Sequence, residues 1–200
     1  MGTGERIPNL PADAWTPEVQ ALFPLMLPHG STARGSDFNS ILVLVRHPEL
    51  AEPYLRFNAA LAKGVDLSAR LKEIAILRVA WRRGSEYEWV HHAISALRTG
   101  LTPEHLAALM QAEPAAIFTS EEQAVVAATD DICLSGGIGD ATWPALSNAL
   151  TTKQAMEMLF VVGCYIMLGS ILKTAGAPVE PQVAAHFDEL GLQRLRPALN

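Results

Sequence analysis

Two hundred residues, half of them hydrophobic, are enough for one substantial core, and a net charge of −6 leaves no basic stripe for a nucleic-acid partner. The N-terminus, MGTGERIPNLP, has mixed charge and no apolar run of signal-peptide length, so the expectation is a cytoplasmic protein. Cys133 and Cys164, far apart in such a chain, read as small buried hydrophobes, with a disulfide as the alternative.

Residues Glu5 to Ser36 are rich in proline and glycine. A short helix is expected there, with Thr16 as N-cap and Pro17 at its first position, in an arm that packs on a neighbour or over a site. The run GSTARG at 30–35 lacks the Gly-Lys-Ser/Thr ending of a phosphate-binding loop. Phe38 to Arg46 and Glu49 to Lys63 read as two helices broken by His47-Pro48, because proline removes a backbone donor and crowds the preceding turn. In the second of these, Leu50, Tyr54, Phe57 and Leu61 recur at helical spacing and are expected in the core.

Leu67 to Gly100 concentrates ionisable and aromatic side chains as no other stretch does. Ser68 is a candidate N-cap, and Leu71, Ile74, Leu77, Arg78 and Trp81 form a broad apolar stripe with Glu73 beside it. Gly84 ends the helix and Ser85 caps the next, on which His91, His92 and Ser95 share a face, while Trp89, Ala93 and Leu97 turn towards a core. A carboxylate and two imidazoles therefore fall within about one turn of each other. Structural roles compete for the same residues: Ser85-x-x-Glu88 fits a capping box, Glu73 can pair with Arg70 across a turn, and His91 reads as the exposed neighbour of His92.

Further along, Thr102-Pro103-Glu104 opens a helix and Ser120-Glu-Glu-Gln123 is a second capping-box pattern, opening a helix to about Leu134. The glycine-rich SGGIGD at 135–140 is a connector to a helix starting at Ala141-Thr142-Trp143-Pro144. Thr151 to Ala175 is the most apolar stretch; with Lys153, Glu157 and Lys173 near its ends, it is read as buried in a bundle centre or a subunit interface rather than in a membrane. Leu67-Ser-Ala-Arg and Leu150-Thr-Thr-Lys open the two major helices similarly, a hint of duplication. No period-two alternation bounded by turn dipeptides occurs, so the fold class is all-α. The expected division is an arm at 1–35, one all-α domain at 36–178 and a C-terminal tail with a short helix at 179–200.

The run from Arg70 to Ala80 (RLKEIAILRVA), then Glu86-Tyr87-Glu88-Trp89-Val90-His91-His92, Ala96 and Gly100-Leu101, resembles the core motif of the carboxymuconolactone decarboxylase family, whose superfamily includes the alkylhydroperoxidase D proteins. Asn39 and His47-Pro48-Glu49-Leu50 fit the family's helical lead-in, and the likeness covers residues 36 to 112 best. The peroxidase relatives carry C-x-x-C-x-x-x-H. Here Ser85 and Glu88 stand at the cysteine positions, while His92 and Glu73 keep the proton-relay positions. Serine and glutamate form no disulfide, so thiol-dependent peroxide reduction is excluded at this motif and acid–base chemistry survives.

The resemblance implies a helical bundle that assembles as a trimer or hexamer, with pockets where chains meet. It also implies a cofactor-independent enzyme, without metal, acting by decarboxylation or related proton transfer on a small carboxylate, lactone or carbonyl substrate. In that reading His92 is the general acid/base, Glu73 orients or charges it, and Glu88 contributes; Tyr87 and His91 bind substrate, with Arg70, Arg78 or Arg46 offered for negative charge. Two alternatives remain. Glu88-x-x-His91 has the spacing of carboxylate-bridged di-iron bundles, so a metal-dependent enzyme using Glu88, His91 and His92 is one, though a second Glu-x-x-His is missing. A non-catalytic binding protein on the same fold is the other.

Overall fold

The computed structural model describes residues 5–25, 38–112 and 116–197. Its helices are α1 (Pro17–Leu22), α2 (Asn39–Leu44), α3 (Pro48–Lys63), α4 (Ala69–Arg83), α5 (Glu86–Leu97), α6 (Pro103–Leu109), α7 (Ser120–Ser135), α8 (Trp143–Ala149), α9 (Thr152–Ala175) and α10 (Pro181–Glu189). Among the described residues there is no β-strand, and the all-α expectation holds. The GSTARG run lies outside the described residues.

Local chemistry sets most of the helix ends. Thr16 Oγ1 accepts from Val19 N–H, Ser68 Oγ from Leu71 N–H, and Thr151 Oγ1 from Gln154 N–H. The box at the start of α7 sits one residue earlier than the sequence suggested. Thr119 is the cap and Glu122 reaches back to its N–H, since Ser120 already has helical geometry. Gly84 ends α4 at φ 61°, a left-handed conformation that glycine adopts without a Cβ penalty, and the chain reverses there into α5.

α4 is the axis of the bundle and packs against α5, α7 and α9. Every residue from Ile74 to Ala80 is buried, so the helix is enclosed on all sides rather than on one stripe. α9 is the reverse case. Its inner face, with Met158, Val161 and Val162, is buried on the bundle, but Met156, Phe160 and Met167 remain about half exposed. They form a strip with Phe57 of α3, which is 38% exposed and meets the Phe160 ring edge-on at 5.8 Å. α9 is long and apolar enough to cross a bilayer by length and composition, yet α2, α3, α4 and α5 all pack on it. Two expected core residues of α3 are thus corrected: Phe57 belongs to this strip, and Leu50 is 64% exposed, while Leu61 is buried.

A smaller core of Val19, Phe23, Ile41, Val45 and Leu55 ties the N-terminal segment to α2 and α3 of its own chain. Backbone bonds continue the attachment, Leu10 N–H to Leu42 O at 3.0 Å and Arg6 N–H to Ala175 O at 2.7 Å. Glu157, read in the sequence only as a flanking charge, accepts from the N–H groups of Asp66 and Leu67 and so fixes the loop that leads to α4.

Arg78 is fully buried on α4 and completely partnered. Its guanidinium donates to both carboxylate oxygens of Asp130 on α7, at 2.6 Å each, and to the carbonyls of Leu109, Gln111 and Ala112. Asp130 also pairs with Arg82, and these guanidinium contacts outweigh the effect of burial and hold its carboxyl below the usual range. Replacing Asp130 by Ala would leave the buried Arg78 charge uncompensated, an expected loss of about 3–5 kcal/mol. Chemical denaturation of Asp130→Ala near neutral pH measures it, and a loss within error of zero would remove this network from the account of the fold.

A candidate acid–base site

The helices meet around a cavity of about 190 Å³. Phe38, Ile41 and Leu44 at α2, Leu55 on α3 and Leu168 on α9 supply its apolar wall. Ser40, Tyr54, Asn58, Tyr87, Glu88, His91, His92 and Tyr165 supply the polar groups, and none of the lining residues is Arg or Lys.

Two imidazoles face this space, each held by a carboxylate behind it. His92 on α5 is linked through Nδ1 to Oε2 of Glu73 on α4 at 2.8 Å. An ionised carboxylate only accepts, so the bond places a proton on Nδ1 and leaves Nε2 as the exchangeable position. The Tyr165 ring packs edge-on against His92 at 4.9 Å. Burial by itself would lower the His92 pKa, but the charge and hydrogen bond of Glu73, with a smaller contribution from Glu88, raise it above the ordinary value.

His91 uses the opposite nitrogen. Its Nε2 lies 2.7 Å from Oε2 of Glu180, and its ring stacks on Tyr87 at 4.5 Å. The other oxygen of Glu180 accepts from the Tyr87 hydroxyl at 2.6 Å and from the Asn39 N–H at 2.6 Å. Glu180 is 2% exposed; burial pushes its carboxyl up, but the donors His91, Tyr87 and Asn39 together hold it below the usual range. His91 is thus largely enclosed, its side chain 19% exposed, and paired instead of being an exposed neighbour. Sequence reasoning missed Glu180. It stands at the N-cap of α10, just before Pro181, and nothing local marks it as a partner of a histidine 89 positions earlier.

Glu88 is the third carboxyl. The expected capping box is not formed: Ser85 occupies the N-cap of α5 but makes no side-chain cap hydrogen bond. Glu88 is 2% exposed, and neither of its oxygens has a hydrogen-bond partner. Burial raises its pKa to about 7, opposed by the charge of His92 and by the nearby Ser85 hydroxyl.

The arginines offered for negative charge lie elsewhere. Arg70 is paired with Glu122 at 2.5 Å and with His105, not with Glu73 across a turn. Arg78 is committed to Asp130, and Arg46 donates to the carbonyls of Pro8 and Asn9. Each satisfies carbonyls or carboxylates of the scaffold, so none lines the cavity. Among the described residues no group of three or more His, Cys, Asp or Glu side chains is arranged to hold a metal ion, the trio Glu88, His91 and His92 included. Both cysteines are free. The Cys164 thiol is buried beside Tyr54 and Asn58, and burial raises its pKa and that of Cys133.

The sequence model of the carboxymuconolactone decarboxylase family matches residues 48–131. No curated protein matches the chain significantly. The solved structure of the debrominase Bmp8 is similar with a TM-score of 0.73 at 18% identity, covering 94% of this chain and all of that one. A cysteine-to-alanine variant of Bmp8 in complex with 2,3,4-tribromopyrrole gives the same TM-score and identity, covering 98% of that chain. An Agrobacterium tumefaciens protein of unknown function, described as an AhpD-type antioxidant defence protein, aligns with a TM-score of 0.60 at 15% identity, over 64% of this chain and 88% of that one. At these identities the structures share the fold.

The His92–Glu73 bond carries a measurable signature. Because the folded pKa of His92 lies above 6.5, the pair's stabilisation is fully present below that pH and is lost as pH rises through the raised value. Histidine NMR titration should place His92 above the ordinary value in the native protein and lower it in Glu73→Gln, where Glu88 alone is left to oppose burial. An unchanged midpoint in the variant would dissociate the two side chains.

Proposed function

On the premise that residues 48–131 belong to the carboxymuconolactone decarboxylase family, we propose that this protein is a cofactor-independent general acid/base enzyme acting on a small carboxylate, lactone or carbonyl compound. The observation that carries the reading is the His92–Glu73 bond at the cavity wall, with Nδ1 tied back and Nε2 left to exchange a proton with a bound molecule. His92 is the proton carrier and Glu73 sets its tautomer and favours the imidazolium. His91, held by Glu180, and Tyr87 shape the opposite side and contact substrate. The reaction class is a proton transfer to or from carbon, as in a lyase that leaves an enolate to be protonated.

His92 and Glu73 are expected to act as one unit. With a substrate in hand, His92→Ala should lower kcat by about 10²–10⁴-fold. The double variant with Glu73→Gln should be little worse than the worse single one, because groups acting together are non-additive. Steady-state kinetics with circular dichroism as a fold control measure this; additive losses, or native turnover in His92→Ala, would place the chemistry elsewhere.

The strip of Met156, Phe160, Met167 and Phe57 supports a homo-oligomer, a trimer or hexamer, in which a second copy covers α9. Light scattering should give a multiple of the 21.6 kDa chain mass, and Phe160→Glu should reduce it. A stable monomer of the native protein at micromolar concentration would overturn this assembly.

A further inference from the structure

Glu88 is a carboxyl that the fold does not use. It lies in the first turn of α5 at the cavity wall, buried, with both oxygens unpartnered. A Cβ at position 169 would collide with its Oε2, so Gly169 on α9 is what gives the carboxyl room. An unpartnered buried carboxyl is a net cost to the folded state, and an apolar side chain at this position would remove that cost. The groups that face it are Tyr54 from α3, Tyr165 and Cys164 from α9, and His92 one turn along α5, with Glu73 of α4 behind. His92 is the cation among them; burial raises the pKa of both tyrosines and of Cys164, which keeps them protonated.

We propose that Glu88 is the second proton-transfer group of this cavity, working opposite His92 on a neutral, enolisable carbonyl compound of the ketone or lactone class. This rests on the acid–base reading of His92 and Glu73 and narrows it. The substrate class follows from charge. The lining offers no Arg or Lys, and both imidazoles already answer to carboxylates, so an anionic substrate meets no unpaired cation while Glu88 adds a negative charge whenever it ionises. A carboxyl that titrates at about 7 accepts or returns a proton at neutral pH with little driving force lost.

The step is balanced within the pair. The Glu88 carboxylate takes the proton from the carbon beside the carbonyl, and the C–H electron pair becomes the C=C bond. The carbonyl oxygen takes the Nε2 proton of the His92 imidazolium, giving an enol, a neutral imidazole and a protonated Glu88. Return of the carbon proton from Glu88, to the same carbon or to the far end of a conjugated system, and of the enol proton to His92 restores both groups. The outcome is proton exchange or isomerisation with no co-reactant.

The test uses cyclopentanone in D₂O with the full-length protein, following loss of its α-proton signal by NMR. Native protein should accelerate exchange, and Glu88→Gln and His92→Ala should each lower the rate by about tenfold or more. Exchange retained in Glu88→Gln but lost in His92→Ala overturns the role of Glu88 and leaves the acid–base reading standing; exchange retained in both overturns that reading too. Absence of exchange with native protein overturns the substrate class. Diisopropylcarbodiimide, which adds to protonated carboxyls, gives an independent readout that a purely structural Glu88 would not move. Mass spectrometry should find the adduct on Glu88 at about pH 6 and lose it by about pH 9, as the carboxyl ionises. No adduct on Glu88 at the lower pH would overturn its accessibility from the cavity. Glu88→Gln should keep the native circular dichroism spectrum and lose the adduct and the exchange together.

Discussion

A helix enclosed on every side has no water to satisfy its polar side chains, and α4 is enclosed from Ile74 to Ala80. Arg78 lies inside that stretch, and Arg70 and Glu73, which precede it and are partly exposed, are likewise paired with side chains of other helices. Arg78 takes Asp130 and three carbonyls, Arg70 takes Glu122, and Glu73 takes His92. The first two of these pairs tie α4 to α7 and serve the scaffold. The third ties α4 to α5 at the cavity wall, so the same requirement for satisfaction that holds the bundle together also fixes a histidine in one tautomer beside an open space.

The cavity owes its second imidazole to chain far from the family region. Glu180, beyond residue 131, gathers His91, Tyr87 and the first N–H of α2, and by doing so draws α2 and α10 against α5. Asn39 strengthens the same junction through its side chain, which donates to the Pro178 carbonyl at 2.8 Å. Two carboxylate–imidazole pairs of opposite tautomer then sit on adjacent residues of one helix. Adjacent positions on a helix diverge by about 100°, which is why the two partners come from different elements, Glu73 from α4 and Glu180 from the start of α10.

Short-range features were legible because they obey local rules. Thr16, Ser68, Gly84 and Thr151 mark the ends they were expected to mark, and the break at His47-Pro48 falls where proline requires it. Burial was harder to read. The apolar stripe of α4 suggested a one-sided helix, whereas α4 is the axis; the uniform apolarity of α9 left a bundle centre and a subunit interface open, and within one chain α9 keeps an exposed strip. Composition reports what a helix carries, and the neighbours decide which face is covered. For the site, Tyr87, Glu88, His91 and His92 are legible as one cluster at helical spacing and Glu73 through the family resemblance, but the arginines were misplaced and Glu180 was invisible. Those assignments depend on contacts across 50 to 90 positions, which no local period encodes.

A carboxyl at position 88 makes a demand on the neighbouring helix. The Glu88 carboxyl extends across the α5–α9 contact to a place where a Cβ at position 169 would collide with its Oε2 and turn it aside. Gly169 is helical, so its value here is the absence of a side chain and not backbone freedom. A glycine inside a helix costs roughly 0.5–1 kcal/mol relative to alanine, and the unpartnered carboxyl adds the cost of a buried polar group. Two unfavourable terms meet at one contact, beside a cavity and next to a paired histidine, where packing alone would favour alanine opposite leucine.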